Sequence, residues 1–295
     1  MWGRVLVALF LFVALAVGVV AALGIEVVGR QAVADDPRSG ETATFDEVAA
    51  AYDASFGAHV HDDGVDWATL SADPTGMRAL GALYARSGPV SGSLGATGDA
   101  AALAFRIDAY DALVGLGIVE HTVARGAALA SVDDVHGVID PGDGFGFFTA
   151  QIFVLDHSLT NLDDLRRLIL RSGDARVLGL LHDGRRGAPL PPARAIREAD
   201  LEASLAGSGL AMTEPPFVSI DRSAHEIVLA PFFEEERLLF ESHARALGEL
   251  PTVSAWIAHH ARSPVRDALS RAEAEGYTVR HATRDRALSQ SGPAR

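Results

Sequence analysis

The sequence predicts an α+β fold: a mostly helical single domain with a small antiparallel sheet, preceded by an N-terminal hydrophobic helix. Three observations predict it. Apolar residues recur at helical spacing through most of the chain. Runs rich in β-branched and aromatic residues, bounded by turn residues, are short and few. A near-continuous apolar run opens the chain. At 295 residues there is ample chain to bury a core, and strands this scarce leave the mixed, mainly helical class.

Residues 5–28, VLVALFLFVALAVGVVAALGIEVV, are broken only by Glu26, and Arg4 precedes them. A helix that crosses a hydrocarbon core needs about 20 residues, whereas the apolar part of a secretory signal runs to about 7–15. Ala32-Val33-Ala34 nevertheless matches an A-x-A cleavage pattern. Two readings stand: an uncleaved anchor, which the length favours, or a signal peptide cut near Ala34. As an anchor, residues 1–34 make the membrane a partner; cleavage near Ala34 would instead give a secreted chain. The positive end stays inside, and the chain beyond the run faces the periplasm or cell exterior. Residues 35–44, DDPRSGETAT, read as a linker. The domain then spans 45–290, with 291–295 as a tail.

Within the domain, Phe45, Val48, Ala49, Tyr52 and Phe56 space a first helix. HVHDDGVD, residues 59–66, reads as a loop. Asp73 is placed to cap a second helix over 74–87, with Pro74 at its first position. The third helix, 101–119, AALAFRIDAYDALVGLGIV, has Thr97 and Asp99 as candidate N-caps. It is apolar on nearly every side, which predicts burial. Asp108 and Asp111 stand three apart in it and share a face. Acids on such a helix need a polar cleft, a basic partner or a cation, because an unpaired buried charge is costly.

Residues 136–146 are turn-rich, and FFTAQIFVL, 147–155, reads as a strand. Asn161 caps a helix, LDDLRRLILR, whose first-turn Asp163 and Asp164 and terminal Arg171 suit the helix dipole. Residues 177–181 are a short apolar segment, and 183–192, DGRRGAPLPP, a Gly/Pro loop. A helix over 198–206 is expected to stop at Gly207 and Gly209. Segments 217–220 and 226–229 flank a polar turn as a hairpin. A helix over 231–246 carries Glu234, Glu235 and Glu236, read as a solvated face. Two more helices cover 252–261 and 264–275, Gly276 ends the second, and 277–281 is the last strand.

The formal net charge of −14 argues against nucleic acid as the main partner. Every basic residue is Arg, as GC-rich codon usage produces. With no Cys, the chain has no disulfide, no thiolate metal site and no thiol nucleophile.

Six stretches, in order, resemble the bacterial family called domain of unknown function 547. GVDWATL, 64–70, resembles its G-V-D/N-Y-x-x-L motif, and FRIDAYDAL, 105–113, its F-W-I-N-x-Y-N-A-L helix. NLDDLRRLILR, 161–171, resembles S-L-D-D-I-E-H-x-I-L-R. DARVLGLLHDGRRGAPL, 174–190, resembles D-P-R-I-H-F-A-L-N-C-A-S-x-x-C-P-P-L. LAPFFEEE, 229–236, resembles L-S-x-I-F-x-W-Y-x-x-D-F, and RDRALSQ, 284–290, Y-D-W-S-L-N. The departures fall on the chemically reactive positions. Asp183 and Ala188 stand for the family's two Cys, Arg166 and Arg167 for its Glu-His pair, and Asp108 and Asp111 for its two Asn. The family's Cys and His look like thiol-protease or transglutaminase parts. A Cys nucleophile needs a thiolate and a base, so the resemblance implies a member inactive by that route.

The candidate pocket joins Asp108 and Asp111 to the loop carrying His182, Asp183, Arg185 and Arg186. Arginine-neutralised acids would explain it, and so would a hard divalent cation on Asp108, Asp111 and Asp183; no other cofactor is called for. The plainer reading is a solvated arginine loop with local ion pairs. His59 and His61 lack a third zinc-like ligand. His259 and His260 read as surface. GDGFG, 142–146, precedes its strand and is no dinucleotide fingerprint. SGSLG, 91–95, lacks the spacing of a nucleophile elbow. The sequence therefore leads to an exported, membrane-anchored, catalytically degenerate binding or interaction module of the cell envelope, with its protein or small-molecule partner unnamed. The alternative is a hydrolase or transferase with Asp183 or His182 as base. Convergence of Asp108, Asp111 and Asp183 in one pocket would favour the active or cation-binding readings.

Overall fold

One long helix organises the first of two hydrophobic cores. The computed structural model describes residues 42–89, 99–135 and 146–291. The hydrophobic run 5–28, the cleavage pattern at Ala34, the linker up to residue 41, the candidate cap Thr97, the 91–95 stretch, the turn at 136–145 and residues 292–295 lie outside them. No described helix is long and apolar enough to cross a membrane.

Helix α1 (Phe45–Ser55) opens on a capping box: the Glu47 N–H donates to Thr44 Oγ1 at 3.3 Å, and the Thr44 N–H to Glu47 Oε2 at 2.8 Å. In place of the expected loop, a minimal antiparallel pair comes next, β1 (Val60–His61) with β2 (Gly64–Val65). Helix α2 (Trp67–Ala72), capped by Asp66, and α3 (Thr75–Arg86) continue the chain. Pro74, expected at the first helical position, is the N-cap, and Asp73 lies one residue outside it, accepting from the Thr75 N–H at 3.1 Å. Helix α4 (Asp99–Arg125) runs 27 residues, longer than the apolar pattern alone marks. Phe105, Ile107, Tyr110, Leu113, Val114, Leu116, Ile118 and Val119 are all buried in it. Each large apolar side chain so covered contributes about 1.5–3 kcal/mol. Gly115 and Gly117 let aromatic rings sit against its backbone. A Cβ at Gly115 would stand 2.9 Å from the Phe56 ring, and one at Gly117 3.0 Å from the Phe147 ring.

The strand expected over 147–155 forms only at its end. Gly146–Ala150 makes a wide π-helical turn, and β3 (Phe153–Leu155) pairs with β4 (Ser158–Thr160). A strand would send Phe147 and Phe148 to opposite faces. The helical turn keeps both at the core edge, 5.1 Å apart and edge to face. The two-residue turn, Asp156 and His157, has φ of 47° and 65°, as a tight hairpin requires. Its N–H groups donate to Tyr84 O and Ala85 O, satisfying the open end of α3.

Asn161 caps α5 (Leu162–Leu170) through its Oδ1, which accepts from the Asp164 N–H at 2.7 Å. The apolar segment after it is a 3₁₀ helix, Ala175–Leu180. Helix α6 (Leu201–Ala211) runs through Gly207 and Gly209 instead of stopping there. The second of these serves contact, not termination: a Cβ at Gly209 would meet the Arg176 side chain and His260 Nδ1 at 3.2 Å.

The second core lies around Phe233, Phe240 and Trp256, rings 4.8–6.3 Å apart. Strands β5 (Val218–Asp221) and β6 (Glu226–Leu229) form the expected hairpin. The helix expected over 231–246 breaks at Glu236 into α7 (Phe232–Glu235) and α8 (Arg237–Ala246). Glu236 is not a solvated residue; it reaches Arg166 of α5 at 2.6 Å. Helices α9 (Val253–His260) and α10 (Ser263–Ala274) carry the chain back to β7 (Thr278–His281), which pairs parallel to β6. The sheet is therefore mixed where an antiparallel one is expected, because this long helical crossover returns the chain in the same direction. His260 is half-buried, its ring 4.4 Å from Trp256, so only His259 fits the surface expectation.

After β7 the chain crosses back to the first core as an extended strap, residues 282–291. The Leu288 N–H donates to Ala130 O, Ser289 N–H to Gly184 O, and Trp67 Nε1 to Ser289 O at 2.7 Å.

Candidate functional site

Where the two cores and the strap meet, a cleft of about 210 Å³ opens. Helix α4 supplies Tyr110 at one wall and α5 supplies Arg166. The loop after the 3₁₀ helix supplies Asp183, Arg185 and Arg186, and the strap Arg284 and Asp285. Phe232 and Glu235 come from α7.

The loop is held by buried polar contacts. Asp111, fully buried, accepts from the His182 N–H at 2.8 Å. The His182 ring is also fully buried; Nδ1 lies 2.9 Å from Pro189 O, and the ring stacks on Trp67 at 6.2 Å. Burial lowers its pKa, against the pull of Asp183 and Pro189 O, so it is neutral and donates to that carbonyl. The Tyr52 hydroxyl donates to Pro192 O at 2.9 Å and fixes the far end of the loop. Gly184 has φ +79° and packs tightly: a Cβ there would stand 2.9 Å from Val132 Cγ1 and 3.0 Å from Ile118 Cδ1. Gly184→Ala is expected to cost about 1–3 kcal/mol from backbone strain alone, read as a lower midpoint in urea unfolding.

Arg185 is 3 % exposed; its guanidinium lies 2.5 Å from Asp133 and 3.1 Å from Asp183, over the Phe148 ring at 5.2 Å. Burial works to raise the pKa of Asp183. Arg185 beside it, the Arg185 N–H, His182 and Arg284 outweigh that and hold it below the usual range. Asp183 is thus an anion on the cleft wall.

Asp108 and Asp111 are handled differently. Burial pushes both carboxyls well above the ordinary Asp value. Asp108 accepts from the Ile196 N–H at 2.9 and 3.1 Å, and Asp111 from that of His182. Their charge is not balanced by Arg185, which serves Asp133 and Asp183, nor by Arg186, whose ion-pair partner is Asp285. A backbone N–H meets each of them instead, Arg197 adds an attraction at Asp108, and burial favours the protonated form of both. Both stand behind the cleft and position backbone, while Asp183 lines it; the three acids do not converge. Among the described residues, no group of three or more His, Asp or Glu is placed to hold a metal ion.

Tyr110, Arg166, Glu235 and Arg284 are cleft residues that the sequence patterns do not single out. For Arg166 the signal is present. Leu162, Leu165 and Ile169 mark the buried face of α5, and Arg166 falls on it at helical spacing. Arg167, which the resemblance aligns with a His, points outward instead, 67 % exposed and 2.7 Å from Asp163.

No protein-family model, curated protein or solved structure matches this chain. The site's chemistry must therefore be read from its own groups. Four guanidiniums, three carboxylates and a phenol line the cleft beside an apolar shelf of Pro216, Pro231 and Phe232. His182 is not part of the lining, and Thr283 brings the one aliphatic hydroxyl. Groups of this kind can hydrogen-bond and orient a polar ligand, and among the lining residues none is a nucleophile held by a base.

Proposed function

We propose that this chain is an exported, membrane-anchored binding module of the cell envelope, a catalytically degenerate relative of the domain of unknown function 547 family. The observation that carries the reading is the cleft itself. Asp183, the residue aligned with the family's Cys, lines it together with Arg166 and Arg284, whose Nη1 stands 3.9 Å from the carboxylate, and no imidazole or thiol lines it. Charged groups fixed by paired neighbours on two cores suit recognition of a small polar ligand. The alternative, a hydrolase or transferase with Asp183 as base, draws support from the ionised state of Asp183 on the wall. Two arginines already occupy that carboxylate, which weakens it as a proton acceptor.

Three experiments test the proposal. A thermal-shift screen of the full chain against envelope metabolites is expected to give at least one ligand that raises the melting temperature. Turnover of a peptide or acyl-transfer substrate by the unmodified protein overturns the degenerate reading. An alkaline phosphatase reporter fused after Asp36 is expected to be active, since residues 5–28 would export the segment C-terminal to them. An inactive, cytoplasmic reporter overturns the topology.

A further inference from the structure

We infer that the cleft recognises a small monocarboxylate bearing an apolar group, with Arg166 as its anchor and Arg186 as the contact at its mouth. The inference rests on the binding-module reading and names its ligand class.

The arginines differ in what they have left to offer. Arg185 is enclosed by Asp133 and Asp183, and Arg284 is taken by Glu235. Arg166 spends Nη1 on Glu236 at 2.6 Å, one of five guanidinium donors, and its side chain keeps 27 % exposure where it lines the cleft. Arg186 is 66 % exposed, and Asp285 stands 3.8 Å away, beyond hydrogen-bond distance. Its backbone is fixed, the N–H donating to Ala287 O at 2.6 Å, so a guanidinium with donors to spare is presented from a rigid loop. Planar forks with spare donors match a carboxylate bidentately.

Charge limits the anion. Four guanidiniums against three carboxylates leave the lining one charge positive, and Glu236 just behind removes that surplus. The spare donors of Arg166 and Arg186 can take one carboxylate, which adds one negative charge to this balanced set, whereas a phosphate dianion would add two beside Asp183 and Glu235. Size and polarity define the rest. At about 210 Å³ the cleft is below the roughly 300–1,000 Å³ of a drug-sized site. Its second wall, Leu178, Leu181, Pro216, Pro231 and Phe232, is apolar. A short aliphatic or arylalkyl carboxylate fills both halves.

The test is calorimetric titration of the full chain in detergent with hexanoate, phenylacetate, phenylacetamide and inorganic phosphate. Both carboxylates are expected to bind, and the amide and phosphate at least tenfold more weakly. Arg186→Gln is expected to weaken phenylacetate about tenfold or more while leaving the melting temperature of the free protein unchanged. Arg166→Lys keeps the charge but loses the fork, and is expected to weaken it likewise. Equal binding of the amide or of phosphate, weakened by the same variants, overturns the carboxylate class and leaves the cleft as the site. Carboxylate binding that both variants leave untouched overturns the cleft as well. No binding by any probe overturns the carboxylate assignment, and the metabolite screen then tests the cleft on its own.

Discussion

Arg185→Ala is expected to destabilise the protein by about 3–5 kcal/mol, because removing one partner of a buried ion pair strands the others. Asp133 and Asp183, whose side chains are 10 % and 27 % exposed, would keep as ion-pair contacts only the longer ones, to Arg286 at 3.7 Å and Arg284 at 3.9 Å. For a domain of this size, 1 kcal/mol moves the melting temperature by about 2–4 °C, so a fall of roughly 6–20 °C is expected by calorimetry. Asp183 loses its closest cation at the same time, and its pKa rises. A change below 1 kcal/mol would mean that Arg185 is solvated and that the loop is held by the strap alone.

The second large effect concerns pH. Burial holds the pKa of Asp108 and Asp111 in the folded protein well above the value near 3.9 at which an Asp titrates in the unfolded chain. The folded state therefore binds more protons, and stability falls as pH rises above about 4, by about 1.4 kcal/mol per pH unit for each retained proton. The slope ends as pH passes the raised folded pKa. His182, His243 and His260, whose pKa values are lowered by burial, act in the opposite sense, but only up to about pH 6.5. From about pH 4 up to the raised folded pKa the two carboxyls lower stability, and the melting temperature is expected to decline across that window once the histidines no longer titrate. Asp111→Asn keeps the acceptor for His182 N–H without the titration, so it should fold, flatten that slope and gain stability toward the alkaline end of the window. Asp111→Leu leaves the N–H bare and is expected to lie about 1–3 kcal/mol below the Asn variant. Identical pH slopes for the parent and Asp111→Asn would show that Asp111 is ionised in the fold. Calcium or magnesium added to the parent is expected to leave its melting temperature unchanged.

Much of the helical framework is written in local chemistry. Asn161, Thr252 and Gly276 mark helix ends through their own hydrogen bonds or backbone freedom, so a short window of sequence reveals them. The features that escape such a window are decided by distant neighbours. The break at Glu236 accompanies a partner 70 residues away, and Phe147 turns helically to reach a glycine on α4. The parallel pairing of β7 depends on the whole crossover before it. The site divides the same way. Apolar neighbours on α4 announce that Asp108 and Asp111 need partners, but not that those partners are backbone N–H groups of two loops. Arg284 reaches the cleft only because the strap crosses the seam, which no spacing in the sequence encodes.

The two acids of α4 also bear on the chain before it folds. Residues 101–118 are apolar enough that Arg106, Asp108 and Asp111 supply all their charge. On the insertion scale, an aspartate at the centre of a helix disfavours entry into a bilayer by about 2.5–3.5 kcal/mol. While the chain is extended, both carboxylates are ionised and bar this segment from partitioning sideways into lipid. When the core closes they take up protons and become neutral hydrogen-bonding groups. The same two side chains are thus hydrophilic in transit and nearly apolar at rest. Changing both to Asn would remove the pH sensitivity that these two carboxyls bring to the folded protein and would leave Arg106 as the one charge that sets residues 101–118 apart from a membrane-spanning segment.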